Sequence, residues 1–220
     1  MSAIEKHDFE AMYGVGHGPV AGSPNYTPEH DIRVITALVD TFRPRRVLEI
    51  GCNVGATAAA ILDGNKSIIE YVGLELSAMW FDAGKKAGEL VTDERFKLVQ
   101  LDVGSRDLDP DSLEPFDLIF IDGAHDYESV KFDTELSRKL LAPAGVLIWH
   151  DYNHPRNPDV MKYIHEVNAA DTIVHVKKTW LCYEIIKSAE KASKKNANDK
   201  KRPTKKRDVL AEQGKTEGQV

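Results

Sequence analysis

Two short runs carry most of the residues able to do chemistry, Asp122-Gly123-Ala124-His125-Asp126-Tyr127 and His150-Asp151-Tyr152-Asn153-His154. An imidazole titrates near neutrality, so His125 and His150 are candidate proton acceptors, with Asp122 as a carboxylate able to serve beside them. For His7, His17 and His154 a structural role is the simpler reading. A second set is acidic. Glu49, Glu75 and Asp102 each close a short apolar run, and Gly51, Asn53 and Gly55 follow the first of them. Glycine there lets the chain turn sharply and approach a ligand, and Asn tolerates left-handed angles.

These residues need a frame that brings strand ends together. Strand-like runs span 46–50, 70–75, 97–102, 117–122 and 145–150, separated by helical or mixed segments near 55–63, 78–91, 126–141 and 158–168. Thr27-Pro28 reads as a helix start, followed by Ile32, Ile35, Leu38, Val39 and Phe42 on one helical face. Runs 172–178 and 180–187 lie too close for a crossover helix and predict an antiparallel pair. The whole predicts a doubly wound α/β domain over residues 28–187. Its sheet is mostly parallel and seven-stranded, with an antiparallel C-terminal hairpin and helices on both faces. In such a sheet ligands bind at the carboxyl ends of the strands, where the three acids and both histidine runs fall.

A nicotinamide site calls for G-x-G-x-x-G around a pyrophosphate. Here Asn53 holds the middle position, and Glu49 would set a carboxylate beside that diphosphate. S-adenosylmethionine carries no phosphate; its sulfonium, ammonium, ribose diol and adenine amine suit acidic neighbours. Glu75, about 20 residues beyond the loop, is then the ribose acid, and Asp102 accepts from the adenine amine. Leu76, Val103 and Asp122 complete the expected cofactor set.

With these motifs in this order, residues 28–187 resemble class I S-adenosylmethionine-dependent methyltransferases. The likeness rests on E-x-G-x-x-x-G (Glu49–Gly55), Glu75, Asp102, the run from Phe116 to His125, and Leu140–Gly145 before the fifth strand. It is most similar to the subgroup with D-G-x-H after the fourth strand and H-D after the fifth, mostly O-methyltransferases of small molecules. Ala144 stands where that family usually has glycine. The resemblance implies in-line methyl transfer to a small hydroxylated metabolite or sugar. It also implies a base at the ends of strands four and five or a bound metal, with Asp122 and Asp151 as ligands by position. His150, between them in the motif, disfavours Mg²⁺, which prefers oxygen; a softer divalent ion tolerates it.

Charge divides the chain. Residues 188–220 hold ten Lys/Arg against five Asp/Glu, leaving 19 and 30 in the remainder. Residues 1–27, rich in Gly and Pro over 14–28, read as a flexible lead-in that could close as a lid over the cofactor, with Tyr13, Tyr26 and His17 in it. Residues 188–220 read as a disordered basic tail. The acidic body is poorly suited to a phosphate backbone, so nucleic acid is expected only through that tail, where Lys200–Arg207 also resembles a nuclear-import signal. A nucleic-acid-associated protein of this fold, or a non-methylating enzyme using the same site, are the competing readings. Cys52 and Cys182, far apart in sequence, form no disulfide framework. With no membrane-length apolar run and no secretory leader, a cytoplasmic protein acting on a small molecule is expected.

Overall fold

The computed structural model describes residues 4–21, 26–78, 84–168 and 172–186. The basic tail with its expected phosphate-binding role lies outside these residues. The strands are β1 (Glu5–His7), β2 (Arg46–Ile50), β3 (Glu70–Leu76), β4 (Phe96–Leu101), β5 (Phe116–Ile121), β6 (Leu141–Trp149), β7 (Ile173–Val176) and β8 (Cys182–Ile185). The helices are α1 (Phe9–Tyr13), α2 (Glu29–Phe42), α3 (Ala56–Gly64), α4 (Tyr127–Leu140) and α5 (Pro158–Val167).

They build one sheet in the order β1-β7-β8-β6-β5-β2-β3-β4. All pairings are parallel except β6 with β8 and β7 with β8. The sheet therefore has eight strands rather than the expected seven. Residues 5–7 are polar and too few to show an apolar alternation. Pairing with β7 makes them a strand, and Ile4, buried beside them, anchors the segment. Three smaller differences have local causes. Helix α2 begins at Glu29, because Thr27 turns its hydroxyl to Thr57 (3.0 Å) instead of capping. Strand β6 starts at Leu141, four residues early, because Leu141 pairs with Phe116 before an irregularity in register. Residues 84–91 are turns rather than helix, and Leu90 and Gly88 donate backbone hydrogen bonds to the carbonyls of Val54 and Asn53.

Side-chain alternation divides the core. Leu48, Ile50, Ile119, Ile121, Leu147 and Trp149 pack with α4 and α5 on one face. Val47, Tyr71, Leu118, Phe120, Val146 and Ile148 pack with α1, α2 and α3 on the other. Successive residues of a strand point to opposite faces, so runs such as Leu118–Ile121 are apolar throughout because both faces are covered. Helix α3 is rich in alanine, and its Ala58 and Ala60 are fully buried. The chain runs outward from β2 through β3 to β4, then returns to β5 on the other side of β2. That reversal opens a crevice beyond the carboxyl ends of β2 and β5.

Candidate active site

A cavity of about 500 Å³ occupies that crevice. Glu49, Gly51, Asn53, Glu75 and Leu76 line it from the β2 and β3 ends, and Asp122, His125, His150 and Asp151 from the β5 and β6 ends. Gly55 opens α3 directly below the loop. Of the residues expected at a cofactor, Asp102 and Val103 alone stand apart. Both are exposed, beyond the last paired residue of edge strand β4, and neither lines the cavity. Val103 donates its N–H to Asp107 (2.8 Å), which turns the chain away.

The loop after β2 is shaped by backbone. Gly51 and Gly55 both have φ of 87°, and Asn53 has φ of 50°. A Cβ on Gly51 would fall 2.3 Å from the Asp122 carbonyl oxygen, so only glycine lets β2 and β5 close to this distance. Asn53 is accommodated by its own side chain, which accepts from the Val54 N–H (2.7 Å). Glu75 then ties the loop to β3, accepting from the N–H of Asn53 (2.6 Å) and of Leu76 (2.8 Å). Glu49 is fully enclosed. Burial pushes its pKa up to about 8, against the opposing hydrogen bond from the Tyr71 hydroxyl (2.8 Å). At neutral pH it is therefore mainly a neutral acid.

The β5 and β6 ends differ. His150 is buried, with Nδ1 3.0 Å from Asp122 Oδ1 and Nε2 3.1 Å from Asp31 Oδ2. Burial opposes its charge, but Asp122, Asp151 and Asp31 prevail and raise its pKa well above the ordinary value. Burial likewise works against ionisation of Asp122 and Asp151, yet the imidazoles of His150 and His125 hold both below the usual carboxylate range. The carboxylates of Asp122 and Asp151 raise His125 to about 9. Asp151 has φ of 58°, an uncommon angle that turns its carboxylate back over the strand end. His125 Nε2 lies 2.6 Å from Asp151 Oδ2, yet this buried nitrogen has no hydrogen bond of acceptable geometry among the described residues. One donor atom each from Asp122, His125 and Asp151 fall within 4.8 Å of one another. An unpartnered buried nitrogen beside two carboxylates is a donor set that a divalent cation fits.

Residues 48–152 match the family model described as a methyltransferase domain. Over that span, just under half of the chain, the sequence is similar to that family. The matched span runs from β2 to the turn after β6, and so contains the glycine loop, Glu75, Asp122, His125, His150 and Asp151. No curated protein sequence matches the chain. Among solved structures, the SAH-bound Podospora anserina methyltransferase PaMTH1 is 22% identical, with a TM-score of 0.54, over 81% of this chain and 92% of that one. The O-methyltransferase TomG from Streptomyces achromogenes, solved with SAM, is 17% identical with a TM-score of 0.52, over 74% and 82%. An O-methyltransferase from Bacillus cereus in complex with SAH is 19% identical with a TM-score of 0.50, over 76% and 84%. The chain thus shares the Rossmann-like fold of these structures.

Sequence reasoning missed Asp31, Thr27, Thr57 and Trp180. Asp31 sits on α2 and is buried; Thr27, Thr57 and Trp180 line the cavity. Asp31 did leave a signal, an acid among Ile32, Ile35 and Leu38 on the apolar side of a helix. Trp180 left none, since the β7–β8 turn alone carries it to the cavity. Among the described residues no helix is long and apolar enough to cross a membrane.

Proposed function

We propose that this domain transfers the methyl group of S-adenosylmethionine to a hydroxyl oxygen of a small acceptor, with Asp122, His125 and Asp151 holding a divalent cation beside that oxygen. The observation that carries the reading is the unpartnered Nε2 of His125, facing two carboxylates in the same cavity as the glycine loop. The two related structures solved with SAM or SAH and named O-methyltransferases support the donor and the acceptor atom.

A proton-accepting histidine is the weaker alternative. Both ring nitrogens of His150 already face carboxylates. His125, raised to about 9, holds its proton at neutral pH and so has nothing to accept with. With a cation bound, the His125 imidazole would serve as a neutral ligand, its proton released to solvent. Two carboxylates and one imidazole favour a manganese-like ion over magnesium.

S-adenosylmethionine supplies an electrophilic methyl on a sulfonium, and a bound divalent cation supplies Lewis acidity that lowers the pKa of a hydroxyl at its side. The residues supply placement. Gly51 and Gly55 admit the cofactor to the backbone, and Glu75 holds the loop while keeping lone pairs for ribose hydroxyls. Glu49 presents a group that can ionise as a cationic ligand approaches. As the acceptor oxygen bonds the methyl carbon, the S–C electron pair stays on sulfur and the hydroxyl proton passes to solvent.

The test is transfer of labelled methyl from S-adenosylmethionine to a panel of hydroxylated metabolites, with excess chelator and with Mn²⁺ restored. Transfer lost in chelator and regained with Mn²⁺ is expected. Full activity in chelator refutes the metal, and no transfer to any hydroxylated compound refutes the acceptor class.

A further inference from the structure

The residue that binds the two layers of the site together is on neither strand end. Asp31 belongs to the first turn of α2, outside the span matched by the family model, and is buried with only 2% of its surface exposed. Its Oδ2 faces His150 Nε2 at 3.1 Å and also lies 3.4 Å from the Trp180 backbone N–H. One carboxylate thus touches β6 and the turn between β7 and β8. On the far side of the imidazole, Nδ1 faces Asp122 Oδ1 at 3.0 Å and Asp151 Oδ2 at 3.7 Å. The ring has few other constraints: Phe120 and Trp180 meet it edge-on, with centroids 6.1 and 6.2 Å away. Rotation about χ2 of His150 is therefore opposed by the acceptors at both nitrogens, and Asp31 supplies the one that lies outside the donor set.

We infer that Asp31 is a positioning residue: by fixing the His150 ring from behind, it aims Nδ1 at Asp122 and sets that carboxylate in the orientation the Asp122–His125–Asp151 donor set requires. The inference rests on the metal reading proposed above. Outer-shell partners that orient ligands commonly change metal affinity by about 10- to 100-fold when removed. Here the chain is one step longer, Asp31 to His150 to Asp122, and its first member comes from a helix on a different layer of the fold. Position rather than charge is the substance of the inference. A side-chain amide at residue 31 still offers an oxygen to Nε2–H, so it should preserve the orientation although it removes the negative charge.

Calorimetric titration of Mn²⁺ into the full chain and into Asp31→Ala and Asp31→Asn distinguishes the cases, with S-adenosylhomocysteine binding measured beside it as a check on the cavity. Mn²⁺ affinity is expected to fall about tenfold or more in Asp31→Ala. It should stay within about threefold of the unsubstituted chain in Asp31→Asn, with S-adenosylhomocysteine affinity little changed in both. Equal Mn²⁺ affinity in Asp31→Ala overturns the inference, as does an Asp31→Asn variant as weak as Asp31→Ala, which would make charge the cause. Should Asp31→Ala not fold, Asp31→Glu carries the test. It keeps the charge but displaces the carboxylate by a methylene, and a Mn²⁺ affinity within twofold of normal overturns the inference. If the unsubstituted chain takes no Mn²⁺, the metal reading itself fails, a result distinct from any of these.

Discussion

The two halves of the cavity use acids in opposite ways. At the β2 and β3 ends, Glu49 is a buried neutral acid and Glu75 spends both oxygens on backbone N–H groups. At the β5 and β6 ends, Asp122 and Asp151 are held ionised by two imidazoles. All four acids sit at or just past the ends of parallel strands, so topology does not set the difference. The neighbours do: Tyr71 and backbone amides in one half, His125 and His150 in the other. The first half shapes a loop and the second concentrates charge; on the proposed function the ligand sits at the first and bonds change at the second.

The joint between the halves is where the comparison breaks most easily. Gly51→Ala forces a Cβ to 2.3 Å from the Asp122 carbonyl at a φ of 87°. Strain and clash together are expected to destabilise the domain by about 4 kcal/mol in urea unfolding. Little loss would mean that the halves part freely.

The next effect separates the jobs. His125→Ala is expected to reduce methyl transfer by at least about 10²-fold while S-adenosylhomocysteine affinity stays within about threefold. A parallel loss of both would join the halves into one binding unit.

Glu49 gives a sign as well as a size. Its pKa rises from 4.5 to about 8 on folding, so the folded chain holds a proton that the unfolded chain releases. The stability it contributes is present below about pH 4.5 and is lost as pH rises through about 8. Relative to Glu49→Gln, the unsubstituted chain should lose about 2 kcal/mol of unfolding free energy between pH 6 and pH 9. An unchanged difference across that interval would place an ionised carboxylate in the first half too.

The smallest effect sharpens the boundary of the loop half. Asp102→Ala should alter S-adenosylhomocysteine affinity by less than about threefold, because its carboxylate is exposed and outside the cavity. Glu75→Ala, which releases the N–H groups of Asn53 and Leu76, should weaken it by about tenfold. Equal losses would bring Asp102 back into the site.

These contrasts also mark what the sequence could tell. Alternating apolar runs and helical segments led to the parallel sheet, the crevice and the closing hairpin, because burial on both faces leaves a nearly continuous apolar signature in the central strands. The structure brings Glu49, Gly51, Asn53 and Glu75 to one cavity and leaves Asp102 outside its lining, because spacing places a residue near a strand end but does not say where the last ladder bond falls. Strand β1 escaped because three polar residues become a strand only through their partner. The left-handed angles at Asn53 and Ala144, 50° and 66°, occur where the sequence departs from glycine. For an alanine that conformation costs about 1 kcal/mol. Asp31 lies 119 residues from His150 in sequence, a separation that no local pattern spans.

The decisive experiment is titration of Mn²⁺ into the unsubstituted chain and into His125→Ala, both without cofactor. One Mn²⁺ per chain is expected, with affinity reduced at least about tenfold in the variant. No binding to the unsubstituted chain, or equal binding to both, would contradict it.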